Sequence, residues 1–139
     1  FCKDINGDER WVRARYYQDL VRTIKRFVPN SDIHIVSQGA SAAFRWFAAA
    51  GCTLHLDTPA DRAWAHMVEA QLLVTAPSAF SIVPAYINQG IVVYVPGMFR
   101  SRSRLGHWLT AAQLPPVLQR LGQCAHTHDL NFDAAPRPA

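Results

Sequence analysis

An α/β fold is the architecture this sequence predicts: a single open, mainly parallel four-stranded sheet with helices on both faces. Three observations carry it. Segments with strand character alternate four times with segments of helical spacing. The third and fourth strands, Leu72–Thr75 and Ile91–Val95, are almost wholly apolar, as strands covered on both faces are. The chain has 139 residues, half of them hydrophobic and 17% charged, which is enough for one packed core and too apolar for disorder.

The elements follow in order. Residues 1–10 read as a lead-in segment, 11–125 as one lobe and 126–139 as a disordered tail that ends Ala-Ala-Pro-Arg-Pro-Ala. From Trp11 to Phe27, apolar residues at Tyr17, Leu20, Val21, Ile24 and Phe27 keep helical spacing, with most of the basic residues on the other face. Pro29-Asn30-Ser31-Asp32 ends this helix, and Ile33–Ser37 is the first strand, followed by a turn at Gln38-Gly39. An alanine-rich helix, Ala40–Ala50, stops at Gly51, a residue suited to a left-handed cap. Cys52–Leu56 is the second strand and ends at Asp57. Cys52, at its start, reads as a small core residue. Thr58-Pro59 opens a third helix that runs to about Ala70, with proline at a first-turn position. The third strand then leads into a fourth helix ending near Asn88, with Gly90 as its cap, and the fourth strand follows. A loop, Pro96–Gly106, carries Arg100, Arg102 and Arg104. The last helical stretches are Leu105–Leu109 and, after Pro115, Pro116–Leu121.

Right-handed crossovers favour the strand order 2-1-3-4, counted along the chain. The winding then reverses between the first and third strands, and ligands of open parallel sheets bind beyond the strand carboxyl ends at such a point. Ser37, Gln38 and Gly39 reach it from one side and Thr75–Ser81 from the other. Pro77-Ser78-Ala79-Phe80-Ser81 therefore starts a helix at this point. If Ser81 is the N-cap, Pro84 falls at the third helical position and costs no hydrogen bond; if Ser78 is the cap, Pro84 lies deeper and should kink the helix. Either serine can satisfy a free first-turn N–H, and the remaining N–H groups with the positive dipole end suit an anion. Ala79 keeps the approach open. The plainer reading is that the serines only cap a structural helix.

The stretch Met67-Val68-Glu69-Ala70-Gln71-Leu72-Leu73-Val74-Thr75-Ala76-Pro77-Ser78-Ala79-Phe80-Ser81, followed by Ala85-Tyr86-Ile87-Asn88-Gln89-Gly90, resembles the donor-binding lobe of fucosyltransferase-like glycosyltransferases. Ile33–Gly39 is similar to the preceding strand and loop of that lobe, and the resemblance runs from Tyr16 to Val95. It implies a Rossmann-like, C-terminal lobe of GT-B type. The co-substrate would be a nucleoside-diphosphate sugar, GDP-fucose in the best-known members, with transfer to a glycan or protein acceptor and neither metal nor cofactor. On this resemblance Ser78 and Ser81 would lie near the donor diphosphate, with Phe80 packed behind them. Gln38 and Gly39 would border the pocket, and Asp57 or Asp61 would approach base or ribose. Ala79 replaces the second serine of the family's turn and removes one hydroxyl. The family's upstream His/Arg-rich segment has no counterpart in Phe1–Arg15. A fragment lacking its N-terminal lobe is therefore expected, as is a Golgi-lumen address if the resemblance holds.

Other residues carry weaker signals. His66, beside Met67, could touch a ligand near the crevice or simply pack. His34 and His55, at alternating strand positions, read as core or face residues, and no His-x-x-x-His or Cys-x-x-Cys spacing points to a metal. Arg100 and Arg102 could reach a diphosphate or an acidic polymer, or line a solvated loop, and Trp108 is the aromatic best placed for an acceptor. No general base is identified. A flavodoxin-like interaction module without enzymatic activity and a basic nucleic-acid binder using the arginine loop are the alternatives, the latter consistent with a formal net charge of +4. No apolar run approaches the roughly 20 residues of a membrane-spanning helix.

Overall fold

The computed structural model describes residues 12–95 and 108–128 of the chain. Its elements are α1 (Ala14–Phe27), β1 (His34–Ser37), a 3-10 turn (Ser41–Phe44) running into α2 (Arg45–Ala49), β2 (Thr53–Leu56), α3 (Ala60–Glu69), β3 (Leu72–Val74), α4 (Ala79–Ile87), β4 (Ile91–Val93), β5 (Trp108–Leu109), and a 3-10 turn (Ala111–Gln113) leading into α5 (Leu114–His128).

The strands form two parallel sheets rather than one. β1 pairs with β2, and β3, β4 and β5 pair in that order. The expected neighbours β2–β1 and β3–β4 are therefore present, but no backbone ladder joins β1 to β3. Side chains make the join instead. Val36 of β1 packs against the cluster of Met67, Leu73, Ile82, Ala85, Val92 and Trp108, with Trp64 beside it. Helix α1 spans both sheets with two stripes. Leu20, Tyr16, Ile24 and Phe27 meet Val93, Leu114 and Leu118, while Val21 and Tyr17 meet Phe47, Cys52, Ile35 and Leu54. The apolar positions of α1, three and four residues apart, are what allow one helix to serve two cores.

Three local expectations change. Trp108–Leu109 is a strand, not helix; it pairs with Val92 and Val93. Two residues are too few to display a period, so only the partner strand reveals it. Helix α5 starts at Leu114 and runs through Pro115 and Pro116, because first-turn residues have no intrahelical N–H bond to lose. Thr110 and Gln113 form a reciprocal cap just before it, with the Thr110 N–H donating to Gln113 Oε1 at 2.9 Å. Gly90 is not a helix cap. An added Cβ there would lie 2.4 Å from the Gln71 carbonyl oxygen, so glycine is required by the close crossing of two backbones.

Asn88 is the C-cap residue of α4 and is 1% exposed. Its Nδ2 donates to the carbonyls of Met67 (2.9 Å), Val68 (3.0 Å) and Ala70 (2.8 Å), and its Oδ1 accepts from the Gly90 N–H at 2.7 Å. The carbonyls at the end of a helix have no intrahelical donors. One buried amide thus closes α3 and fixes the end of α4 against it.

Among the described residues no helix is long and apolar enough to cross a membrane. The arginines at 100, 102 and 104 and the tail from residue 129 lie outside the described residues.

Candidate functional site

The turn after β3 settles which serine caps the helix. Ser78 is the N-cap of α4, in extended backbone, and its Oγ accepts from the Phe80 N–H at 3.2 Å. Ser81 is buried and its hydroxyl is spent on the turn: Oγ donates toward the carbonyls of Ala76 (2.9 Å) and Ser78 (3.1 Å) and accepts from the Ala76 N–H at 3.0 Å. The Ser81 N–H donates to Ser78 O at 3.1 Å. Of the first-turn amides, that of Ala79 has neither a capping nor an intrahelical acceptor, and Ala79 is exposed. Helix α4 continues through the buried Pro84, which forfeits the bond to the carbonyl of exposed Phe80. Phe80 is 40% exposed and meets Trp64 with ring centroids 6.1 Å apart.

A second corner forms at the carboxyl ends of β1 and β2. The Gly39 N–H donates to Asp57 Oδ1 at 3.2 Å, and the Asp57 N–H donates to Ser37 O at 3.0 Å. Gly39 has φ +105°, a conformation open to glycine at little cost, and Asp57 takes φ +52°. Gln38, Gly39 and Asp57 are thus brought together and exposed, and Asp61 is exposed in the first turn of α3. Trp108, the aromatic expected nearest an acceptor, is packed inward. It is 8% exposed, in the core between Tyr86 and Tyr94. A strand that pairs on β4 turns this indole into the sheet's packing face. A separate cleft of about 150 Å³ lies between α1 and the start of α5, lined by Tyr16, Asp19, Leu20, Thr23, Ala111 and Pro115, and it contains none of the predicted site residues.

His66 belongs to a third grouping, one that the spacing of single histidines along the chain does not announce. His34 from β1, His55 from β2 and His66 from α3 each present one ring nitrogen, and these three atoms lie within 4.8 Å of one another. His34 Nδ1 and His55 Nε2 are 2.8 Å apart. Ring centroids are separated by 5.1 Å for His34–His55, 5.7 Å for His34–His66 and 4.4 Å for His55–His66. The side-chain period of two explains the meeting. Ile33, Ile35 and Leu54 point into the α1–α2 core, so His34, Val36 and His55 point to the opposite face, where α3 lies. The register places His34 opposite Thr53 and Val36 opposite His55, so the two histidines are diagonal neighbours. Burial, then the neighbouring His66 and His34, hold the His55 pKa below its usual value. The alternation Ile-His-Ile-Val beside Leu-His-Leu was the available signal; it needed the strand register and the rotation of α3 to become a site.

Cys52 is buried, and burial raises its thiol pKa against the lowering influence of Lys25, which suits a packing role over a reactive one. Compared with protein-family models, curated proteins and solved structures, the chain matches none.

Proposed function

We propose that this chain is the donor-binding lobe of a fucosyltransferase-like glycosyltransferase, holding a nucleoside-diphosphate sugar at the start of α4. One observation carries the reading. The parallel strand β3, with Leu73 buried, leads into a helix whose N-cap residue Ser78 and first residue Ala79 are exposed at the positive end of the helix. Ser78 and the Ala79 N–H are the groups that would meet the diphosphate, and Ser81 acts by holding the turn rather than by touching the ligand. Asp57, positioned by Gly39, is the carboxylate available to a ribose hydroxyl. Catalysis in such a lobe is electrostatic stabilisation of the departing diphosphate.

The test exploits the difference between the serines. Asp is as good an N-cap as Ser, so Ser78→Asp keeps the helix while placing negative charge where the diphosphate would sit. GDP or GDP-fucose is expected to raise the melting temperature of the wild-type chain and to leave Ser78→Asp unmoved. Equal shifts in both proteins, or none in the wild type, would refute the reading. Ser81→Ala, which strands the Ala76 N–H, is expected to cost about 1–2 kcal/mol of stability without abolishing the nucleotide response.

A further inference from the structure

We propose that His34, His55 and His66 form a binding site for a borderline divalent transition-metal ion, Zn²⁺ in chemical class, with three imidazole ligands and a coordination position open to solvent. The three residues come from β1, β2 and α3, and their candidate donor atoms already lie within 4.8 Å of one another. Tetrahedral coordination at the usual Zn–N distance sets ligand nitrogens about 3.3 Å apart. The His34–His55 pair, at 2.8 Å, has to open slightly, and the widest pair has to close. Both movements would have to come from rotations of the imidazole side chains.

Two features of the fold favour a metal over a packed cluster of rings. The backbone frame is held independently of the histidines. The β1–β2 ladder holds His34 and His55 as diagonal neighbours, and Asn88 clamps the carbonyls of Met67, Val68 and Ala70, which follow His66. The chemistry of the cluster is also right for a metal ligand. Metals bind imidazole through a ring-nitrogen lone pair, and three such nitrogens lie within 4.8 Å of one another. His34 and His66 are exposed and His55 is half-buried, so an ion can enter and a water molecule can complete its shell. Imidazole ligands suit Zn, Cu and Ni better than Mg or Ca. The only partner any of these rings has among the described residues is another ring of the cluster, so the carboxylate or carbonyl support that strengthens most histidine sites is missing. The site is therefore one of moderate affinity, suited to exchangeable metal. The site shares no residue with the proposed donor corner and is argued without it, with His34 opening β1 and Gly39 and Asp57 lying beyond the strand ends.

The experiment is a titration of the chelator-treated full chain with ZnCl₂ and CoCl₂, read by calorimetry, melting temperature and visible absorption. One equivalent is expected to bind, with a rise in melting temperature and the intense visible bands of low-symmetry Co²⁺. His34→Ala and His66→Gln are each expected to weaken binding at least tenfold. His66→Gln lies on an exposed helix face, so its melting temperature in chelator should match the wild type, which separates loss of metal from loss of fold. A His126→Asn/His128→Asn variant should bind as the wild type does. Undiminished affinity in His66→Gln, binding without defined stoichiometry, or loss of binding in the His126→Asn/His128→Asn variant would each overturn the proposal.

Discussion

The two sheets of this protein solve the same packing problem to different depths. In the β3–β4–β5 sheet, Val92 and Val93 are fully buried, Leu73 and Trp108 nearly so, and no strand residue carries a titratable group. In the β1–β2 sheet no strand residue is fully buried, and His34 and His55 sit within it while Asp57 follows it directly. A sheet enclosed on both faces has no room for side chains that need water or a partner. A half-open sheet can carry them, and all the clustered imidazoles of the described chain lie on or against it. The deeper sheet carries the apolar core, and the shallower one carries the titratable side chains.

The sharpest way to break this contrast is a charge in each sheet. Val93→Asp buries an uncompensated carboxylate and should cost about 3 kcal/mol or more, enough to unfold a marginal domain. His34→Asp, on the exposed edge of β1, should cost less than about 1 kcal/mol in urea unfolding monitored by circular dichroism. Comparable losses in the two variants would mean that the sheets are equally enclosed.

A smaller effect is expected at the seam. Asn88→Ala leaves the carbonyls of Met67, Val68 and Ala70 without their donor and should lower stability by about 2 kcal/mol, seen as a lower urea midpoint at unchanged slope. Because the end of α3 loosens, zinc binding should weaken as well, although Asn88 is not a ligand.

The smallest effect is on pH. The folded protein holds His55 at a lowered pKa, through burial and the facing His66 and His34, while the unfolded chain titrates near 6.5. Between those two values the unfolded chain binds more protons, so stability rises with pH. The contribution is complete above about pH 6.5, declines as pH falls below it, and levels once His55 is protonated in the folded state too. Melting temperatures measured from pH 8 to pH 5 in chelator should show this slope in the wild type and a flatter one in His55→Gln.

Much of this organisation is legible in the chain itself. The four helix–strand alternations, the left-handed turn at Gly51 (φ +75°) and the burial of Cys52 all follow from spacing and residue type within a few positions of one another. The serine turn was legible as a helix start but not as a choice between Ser78 and Ser81, since both satisfy the same local rule. Their difference arises because Ser81 Oγ finds Ala76 within reach and Ser78 Oγ does not.

By itself the sequence determined the order and character of the elements, because strand and helix periods are written into neighbours two to four residues apart. Only the tertiary structure decided that the parallel strands divide into two sheets, that Asn88 closes a helix some 20 residues before it, and that histidines from β1, β2 and α3 share one small volume. Those outcomes depend on strand register and on the rotation of a packed helix. These are set by the whole core and by no single stretch of it.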